Sequence, residues 1–535
     1  MTQQHDGGGR RLDGARPGAE AAALPAPERE WWRSAAFYQI YVRSFQDSNG
    51  DGVGDLPGIR SRLPYLQELG VDALWLTPFY PSPQADHGYD VTDYVDVDPL
   101  FGTLDDFDAL VADAHERGLK VTIDIVPNHT SDQHEWFRNA ISDPEHPDRK
   151  RYMFRPGRNG GPPNGWTSAF GGPAWSLDER TGEYYLHFFA PGQPDLDWHH
   201  EPVQESFEEI LRFWLDRGVD GFRIDVAHAL FKAQDLREMV EPEPRPPFGD
   251  WLSALMQPEL HPLYRRWRQI ADEYPGGRMY VSEIVIESQE KIASYVEPDQ
   301  LHLSFNFGFL HERWDAERMR ATIDRTLAAL GSVGAPPAWV LENHDVTRLP
   351  TRYGGGEGGR KRGRAATLLL LGLPGAAFTY QGQELGLEEV EVPDEAREDP
   401  IFFRTDGARK GRDGCRVPIP WTTEQPAFGF TEGEPWLPMP QDWAALSVEA
   451  QERDAGSVLA LYRSAIRLRP RGEQFSWRES PPGTMIFDRG DVTCLVNVDA
   501  PELALPEGEL VLASEPGTTT SLPPNTAAWV RKGTA

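Results

Sequence analysis

Residues 120–129, Lys-Val-Thr-Ile-Asp-Ile-Val-Pro-Asn-His, are apolar for most of their length and end in polar side chains. Residues 219–226, Val-Asp-Gly-Phe-Arg-Ile-Asp-Val, follow the same plan. Nearly continuous apolar runs of this length suit parallel strands covered on both faces, whereas strands with one wet face alternate strictly. Outward from these two, similar runs occur at 37–45, 71–78, 278–284, 303–307, 338–343 and 376–381. Amphipathic stretches at 104–117 and 204–217 predict helices between them. Eight strands alternating with helices imply an α/β chain, either a closed parallel barrel or a doubly wound sheet.

Two connections break the alternation. Residues 131–197 are rich in Gly, Pro, Trp and Asn, with a strand-like piece at 183–189. An insert that long inside a compact unit is functional or a subdomain. A second irregular segment spans 386–442, followed by an amphipathic helix at 456–468. Beyond it, short strands punctuated by Pro and Gly at 484–488, 492–497, 510–513 and 526–530 predict a small antiparallel β-sandwich.

Composition narrows the partners. The chain has 535 residues and a formal net charge of -31. Such a surface repels nucleic acid and anionic membranes, and a neutral sugar is indifferent to it. Two cysteines, Cys415 and Cys494, imply no disulfide framework, and reduced, inert thiols are expected. Residues 1–30 are rich in Gly, Ala, Arg and Pro and are expected to form a disordered tail. No run reaches the length of a signal-peptide core or a membrane span, so a cytoplasmic protein is expected.

The chemistry sits where the predicted strands end. Strand three ends in Asp124 to His129, strand four in Gly221-Phe-Arg223-Ile-Asp225, strand five in Val281-Ser-Glu283 and strand seven in Glu342-Asn-His344-Asp345. One acidic residue at a strand end is commonly a helix cap or turn residue. Four strands ending this way are not explained by caps, and in a barrel these ends converge on one face. Three carboxylates on one small site suit glycosidic cleavage, in which one acid protonates the leaving oxygen and a second carboxylate attacks or stabilises the sugar carbon. On spacing alone, His129 and His344 leave a divalent-metal hydrolase open.

The loop after the first strand carries a separate signal. Asp47, Asn49, Asp51, the Val53 carbonyl and Asp55 occupy positions 1, 3, 5, 7 and 9 of a calcium-loop spacing, with Gly52 at position 6. The glutamate expected at position 12 is replaced by Gly58.

Together these stretches resemble the α-amylase family of retaining glycoside hydrolases, in its oligo-1,6-glucosidase and α-glucosidase branch. Asp124–His129, 221–228, 281–284 and 342–345 match the family's four central motifs, and Gln193-Pro-Asp-Leu-Asp-Trp198 resembles a fifth. The resemblance implies a (β/α)8 TIM barrel over 31–130 and 199–470, an inserted domain B at 131–198 and the β-sandwich domain at 471–535. It implies Asp225 as nucleophile, Glu283 as general acid/base and Asp345 as the third carboxylate. Arg223 would keep the nucleophile ionised, and His129 and His344 would donate to sugar hydroxyls. Asp86, Tyr89 and Arg416 match further substrate-binding positions, and His228 would line the acceptor side. The loop after strand one would hold structural calcium, or magnesium.

The activity implied is exo-acting release of glucose from short α-1,4- or α-1,6-linked oligosaccharides. Val226 after the nucleophile leans toward α-1,6 bonds, while His228 and Asp197 depart from the usual pattern. A glucosyl-transferring isomerase would use the same intermediate. A non-catalytic partner subunit would need a membrane span and could dispense with the carboxylates.

Overall fold

The computed structural model describes residues 30–238, 252–286, 288–472 and 474–533. Residues 1–29, the expected tail, lie outside the described residues. Eight parallel strands form the centre: β1 (Ala36–Ile40), β2 (Ala73–Leu76), β3 (Lys120–Ile125), β4 (Gly221–Ile224), β5 (Met279–Ser282), β6 (Leu303–Ser304), β7 (Ala338–Val340) and β8 (Ala376–Tyr380). Their hydrogen-bonded order is β7-β8-β1-β2-β3-β4-β5-β6. The two ends of this series meet at a single parallel bridge, Phe305 with Ala338, where Asn306 N also donates to Ala338 O at 3.1 Å. That bridge closes the sheet into a barrel.

Strand alternation divides each strand between two environments. Tyr38, Ile40, Leu74, Leu76, Ile123 and Phe222 face outward into the layer between strands and helices. Phe37, Trp75, Val281, Phe305 and Phe378 belong to a second cluster inside the ring. There Phe37 stacks on Phe378 at 4.3 Å, and Phe305 lies 4.8 Å from Phe378 and 5.2 Å from Trp75. Two residues further along, the inward position turns polar: Gln39 follows Phe37, Asp124 follows Thr122, and Arg223 follows Gly221.

The helices obey the same economy of faces. Leu104–Glu116 starts in a reciprocal cap between Thr103 and Asp106 and buries Phe107, Leu110, Val111 and Ala114 along one stripe. Glu201–Asp216 buries Val203, Phe207, Ile210, Leu211 and Trp214. Each strand is shorter than its apolar run. β1 ends at Ile40, not at residue 45, and β3 at Ile125, not at 128. The extra apolar residues are buried as well, but they leave the ladder to build the mouth of the barrel. Pro127 has no N–H to extend β3.

The insert contains a helix, Glu135–Ser142, and a three-stranded antiparallel sheet in which Glu183–Leu186 lies between Phe154–Pro156 and Trp175–Asp178. At the C-terminal end, five antiparallel strands run in the order Phe475–Trp477, Thr484–Arg489, Val492–Asn497, Thr526–Arg531, Glu509–Ala513. One face of this sheet rests on helix Gly356–Gly372, where Trp529 Nε1 donates to Leu368 O at 3.1 Å. On the other face, Leu503 and Leu522 from a two-stranded ladder cover Leu495, Ala528 and Val530. Cys415 and Cys494 are buried free thiols. No described helix is long and apolar enough to cross a membrane.

Candidate active site

The site begins with the register of β3 against β4. Asp124 and Arg223 are direct neighbours across the two strands, both pointing into the ring. Arg223 Nη1 lies 2.6 Å from Asp124 Oδ1 and 2.7 Å from Asp225 Oδ1, while Nη2 lies 2.9 Å from Glu283 Oε2. One guanidinium thus holds three carboxylates from β3, β4 and β5, a use that suits its planar fork. Burial pushes Asp124 up to about 6, against the opposing pull of Arg223. Burial also lifts Asp225 well above the ordinary carboxylate range; Arg223 opposes this, and Glu283 and Asp124 reinforce it.

Glu283 is gripped through one oxygen. Val226 N donates to Glu283 Oε2 at 3.0 Å, beside the Arg223 contact. To do so, Val226 adopts a φ of 44°, a left-handed conformation that is strained for a β-branched residue. Glu283 Oε1 and Asp225 Oδ2 carry no protein hydrogen bond among the described residues. His228 lines the same cavity, and burial pushes it down to about 4, so its ring is neutral near pH 7.

Asp345 forms the opposite wall. Arg412 Nη1 and Arg416 Nη2 both reach its Oδ1, at 3.1 and 3.0 Å, and His344 Nε2 lies 3.3 Å from Oδ2. Burial raises Asp345 too, but His344, Arg412 and Arg416 together outweigh it and hold this carboxyl below the usual range.

His344 owes its orientation to β1. Gln39 Nε2, which can only donate, lies 2.7 Å from His344 Nδ1. The ring proton is then on Nε2, 2.7 Å from Tyr89 OH, and Tyr89 OH in turn lies 3.3 Å from Asp124 Oδ2. The ring lies between Tyr41 and Tyr89, with centroids 5.6 and 5.5 Å away. Burial holds His344 well below its ordinary value, so it is a neutral donor.

Asp86 closes the inner end. Its Oδ1 pairs with Arg412 Nη2 at 2.8 Å, and its Oδ2 accepts from Gln193 Nε2 at 3.0 Å. Behind His129, Asn128 Nδ2 meets His129 Nδ1 at 3.1 Å, and Asn128 Oδ1 accepts from Lys232 Nζ at 2.8 Å. Lys232 also pairs with Asp195 of the insert at 2.9 Å, and both side chains are fully buried. This buried cation fastens the insert to the end of β3. Hydrogen bonds join the insert to the 400–412 segment: Arg404 Nη2 donates to Gly171 O at 2.6 Å, and Arg409 Nη1 to Ala169 O at 3.0 Å.

These walls enclose a cavity of about 1190 Å³. Asp86, Tyr89, His129, Asp225, His228, Glu283, His344 and Asp345 all line it. Arg223 and Arg416 do not; they lie fully buried behind the carboxylates they hold. The arginine that reaches the cavity from the 411–421 stretch is Arg412, four residues before Arg416. Asp399 steers it, with Oδ2 accepting from Arg412 Nε at 2.6 Å and from its backbone N at 2.7 Å. Arg412, Gln193, Gln39 and Lys232 are therefore functional neighbours beyond the residues singled out from sequence. Gln193 stood inside a recognised motif, whereas Gln39 and Lys232 carry no local signal.

The 47–55 loop is curled by its own side chains. Asp47 Oδ1 accepts from Asn49 N and Gly50 N, Asn49 Oδ1 from Asp51 N, and Asp51 Oδ1 from Val53 N, all at 2.8 or 2.9 Å. Gly50 and Gly52 have φ of 84° and 90°, and a Cβ on Gly52 would meet Glu434 O at 2.0 Å. Among the described residues no group of three Asp, Glu, His or Cys side chains is placed to hold a metal ion. A cation here would therefore depend on the Asn49 amide and the Val53 carbonyl as well as on carboxylates. The all-oxygen donor set fits a hard divalent ion.

Residues 39–477 match the family described as alpha amylase, catalytic domain. The chain belongs to that family. It is 40% identical over 467 residues to a probable alpha-glucosidase of Rhizobium meliloti (strain 1021), covering 84% of each chain. It is 37% identical over 477 residues to an oligo-1,6-glucosidase of Parageobacillus thermoglucosidasius, covering 83% of this chain and 84% of that one. Among solved structures, the alpha-glucosyl transfer enzyme XgtA superposes with a TM-score of 0.86 at 40% identity, over 94% of this chain and 99% of that one.

Proposed function

We propose that this chain is a retaining, exo-acting α-glucosidase that releases terminal glucose from short α-1,4- or α-1,6-linked oligosaccharides. The observation that carries this reading is the Arg223 bridge, which touches Asp225 and Glu283 at once and leaves one free oxygen on each. Two carboxyls spanned by one guanidinium suit the retaining spacing of roughly 5–5.5 Å better than the wider inverting gap. Asp225 Oδ2 attacks the anomeric carbon while Glu283 gives its proton to the departing oxygen. The resulting ester is hydrolysed when Glu283, now ionised, takes a proton from the attacking water. Asp345, His344 and His129 bind ring hydroxyls. The Asp86–Arg412 pair stops the inner end, which supports a pocket for a single terminal sugar.

The likeness to a glucosyl transfer enzyme favours one second reading, in which a sugar replaces water as acceptor. Product analysis with maltose, isomaltose, sucrose and trehalose, each alone, separates the two. Free glucose from maltose or isomaltose is expected, and none from Asp225→Ala. A rearranged disaccharide with little glucose would replace hydrolysis by transfer, and no product from any of them would overturn both.

We also propose that Asp47, Asn49, Asp51, Val53 O and Asp55 hold calcium, with magnesium as its competitor. The bound charge would tie down the acidic loop after β1. Chelation is then expected to lower the melting temperature, and Asp51→Ala to abolish that response; a melting temperature indifferent to chelator would sink the assignment. A cytoplasmic setting accords with two cysteines kept as buried free thiols.

A further inference from the structure

We propose that the outer part of the cavity is a site for an oxyanion carried by the leaving group or acceptor sugar. The proposal rests on the glucosidase reading for its place in the reaction, but not for its binding chemistry. The cavity is larger than one glucosyl ring requires, and its lining changes character beyond the carboxylates. There, among the described residues, it carries Lys291, Arg318, Arg325, Arg409 and Lys410 against one acid, Glu312. The whole chain has a formal net charge of -31. A cationic lining in so acidic a protein reverses the local field just where a substrate's second sugar would lie, within a Debye length of about 8–10 Å.

Not all of these cations are free. Arg318 pairs with Glu312 at 2.6 Å, and Lys410 with Asp394 at 2.6 Å. Lys291, Arg325 and Arg409 have no carboxylate partner among the described residues. Two of them are nevertheless held in place. Arg409 donates to Ala169 O, as above. Arg325 Nη2 donates to Thr322 Oγ1 at 3.0 Å, and Thr322 Oγ1 donates to the buried Glu312 Oε2 at 3.0 Å. Arg318, Thr322 and Arg325 stand at i, i+4 and i+7 of helix Ala316–Ser332, on one face. Lys291 comes from the adjoining helix Gln289–Ala293.

Two cations without carboxylate partners among the described residues therefore share one wall on adjoining helices, with a third across the cavity on the 409–412 segment. Neutral hydroxyls can accept from such donors, but without charge assistance on the acceptor. A phosphate monoester or carboxylate accepts only, and its charge-assisted bonds to Arg and Lys are the stronger kind. The chemistry fits a glucoside whose second half bears such a group.

The test uses glucose 6-phosphate and glucose as probes of the acceptor side. Both are titrated by calorimetry into the Asp225→Ala protein, and both are tested as inhibitors of 4-nitrophenyl α-glucoside cleavage by the unmodified enzyme. Glucose 6-phosphate is expected to bind about tenfold more tightly than glucose at low salt. High salt should close most of that gap, as should the pair Lys291→Gln and Arg325→Gln in a protein whose melting temperature is unchanged. Gluconate in place of the phosphate tells whether any oxyanion suffices. Equal affinities for glucose and glucose 6-phosphate, or a preference that survives the double substitution, would overturn the proposal. Failure to cleave 4-nitrophenyl α-glucoside would count against the glucosidase reading alone, because the calorimetric comparison needs no turnover.

Discussion

The floor and the mouth of the barrel are built on the same strands and differ in almost everything else. At the floor, Phe37, Trp75, Phe305 and Phe378 fill the ring with aromatic surface. Nearer the C-terminal ends, Gln39 on β1, Asp124 on β3 and Arg223 on β4 face the same axis and carry charge and hydrogen bonds. Strand alternation supplies both layers, and only the residue type at each inward position decides whether it serves packing or chemistry. The floor is tolerant of volume-conserving change and gains by burial; the mouth depends on each polar atom having its partner.

Substitutions in the two layers should separate these roles. The largest effect belongs to Glu283→Gln. It should slow disaccharide cleavage by roughly 10³-fold or more, yet leave the first step almost untouched for aryl glucosides whose leaving groups need little protonation. Equal losses on both substrates would remove Glu283 from the acid role. Next comes Arg223→Met, which leaves three buried carboxylates without their cation. Stability should fall by about 3–5 kcal/mol in chemical denaturation. The sign on activity follows from Asp225: Arg223 lowers that carboxyl against burial, so losing it raises Asp225 further. The acidic limb of kcat/KM should move to higher pH, and a limb that stays put would show that Arg223 does not tune the nucleophile.

At the floor, Phe378→Ala should cost about 3–5 kcal/mol of stability while kcat of the folded enzyme stays within about twofold. The smallest change expected is Gln39→Leu. It frees the His344 ring to adopt either tautomer, and kcat should drop by about tenfold with KM little altered. A fall in melting temperature without that kcat change would assign Gln39 to packing alone.

Much of this was legible in the sequence because the strand-end motifs are local. Asp225 and Arg223 are two residues apart on one strand, so their shared direction follows from alternation. The three carboxylates, Tyr89, His129 and Asp86 likewise stand in short recognisable stretches. Arg412 and Arg416 mark where local reading stops. They lie one helical turn apart in the same stretch, and what sends the first to the cavity is Asp399, which has no visible link to either in sequence. Gln39 meets its partner 305 positions away, and Lys232 meets Asn128 at a separation of 104. Such pairings exist only once the barrel has closed. Strand ends were overestimated for a related reason: residues 41–45 and 126–128 are as apolar as a strand, but their burial comes from the mouth's own packing.

The barrel's closure is itself uneven. Seven of its joints are ladders, and the eighth, between β6 and β7, is the one bridge from Phe305 to Ala338. A ring with one thin weld opens there first when it is strained. The short helix Phe307–Leu310 springs from that weld, and both Phe307 and Gly308 line the outer cavity. The weld thus joins the wall that would meet whatever follows the glucose to the strand that leads into His344 and Asp345. A change at this joint reaches the room for the second sugar and the third carboxylate together.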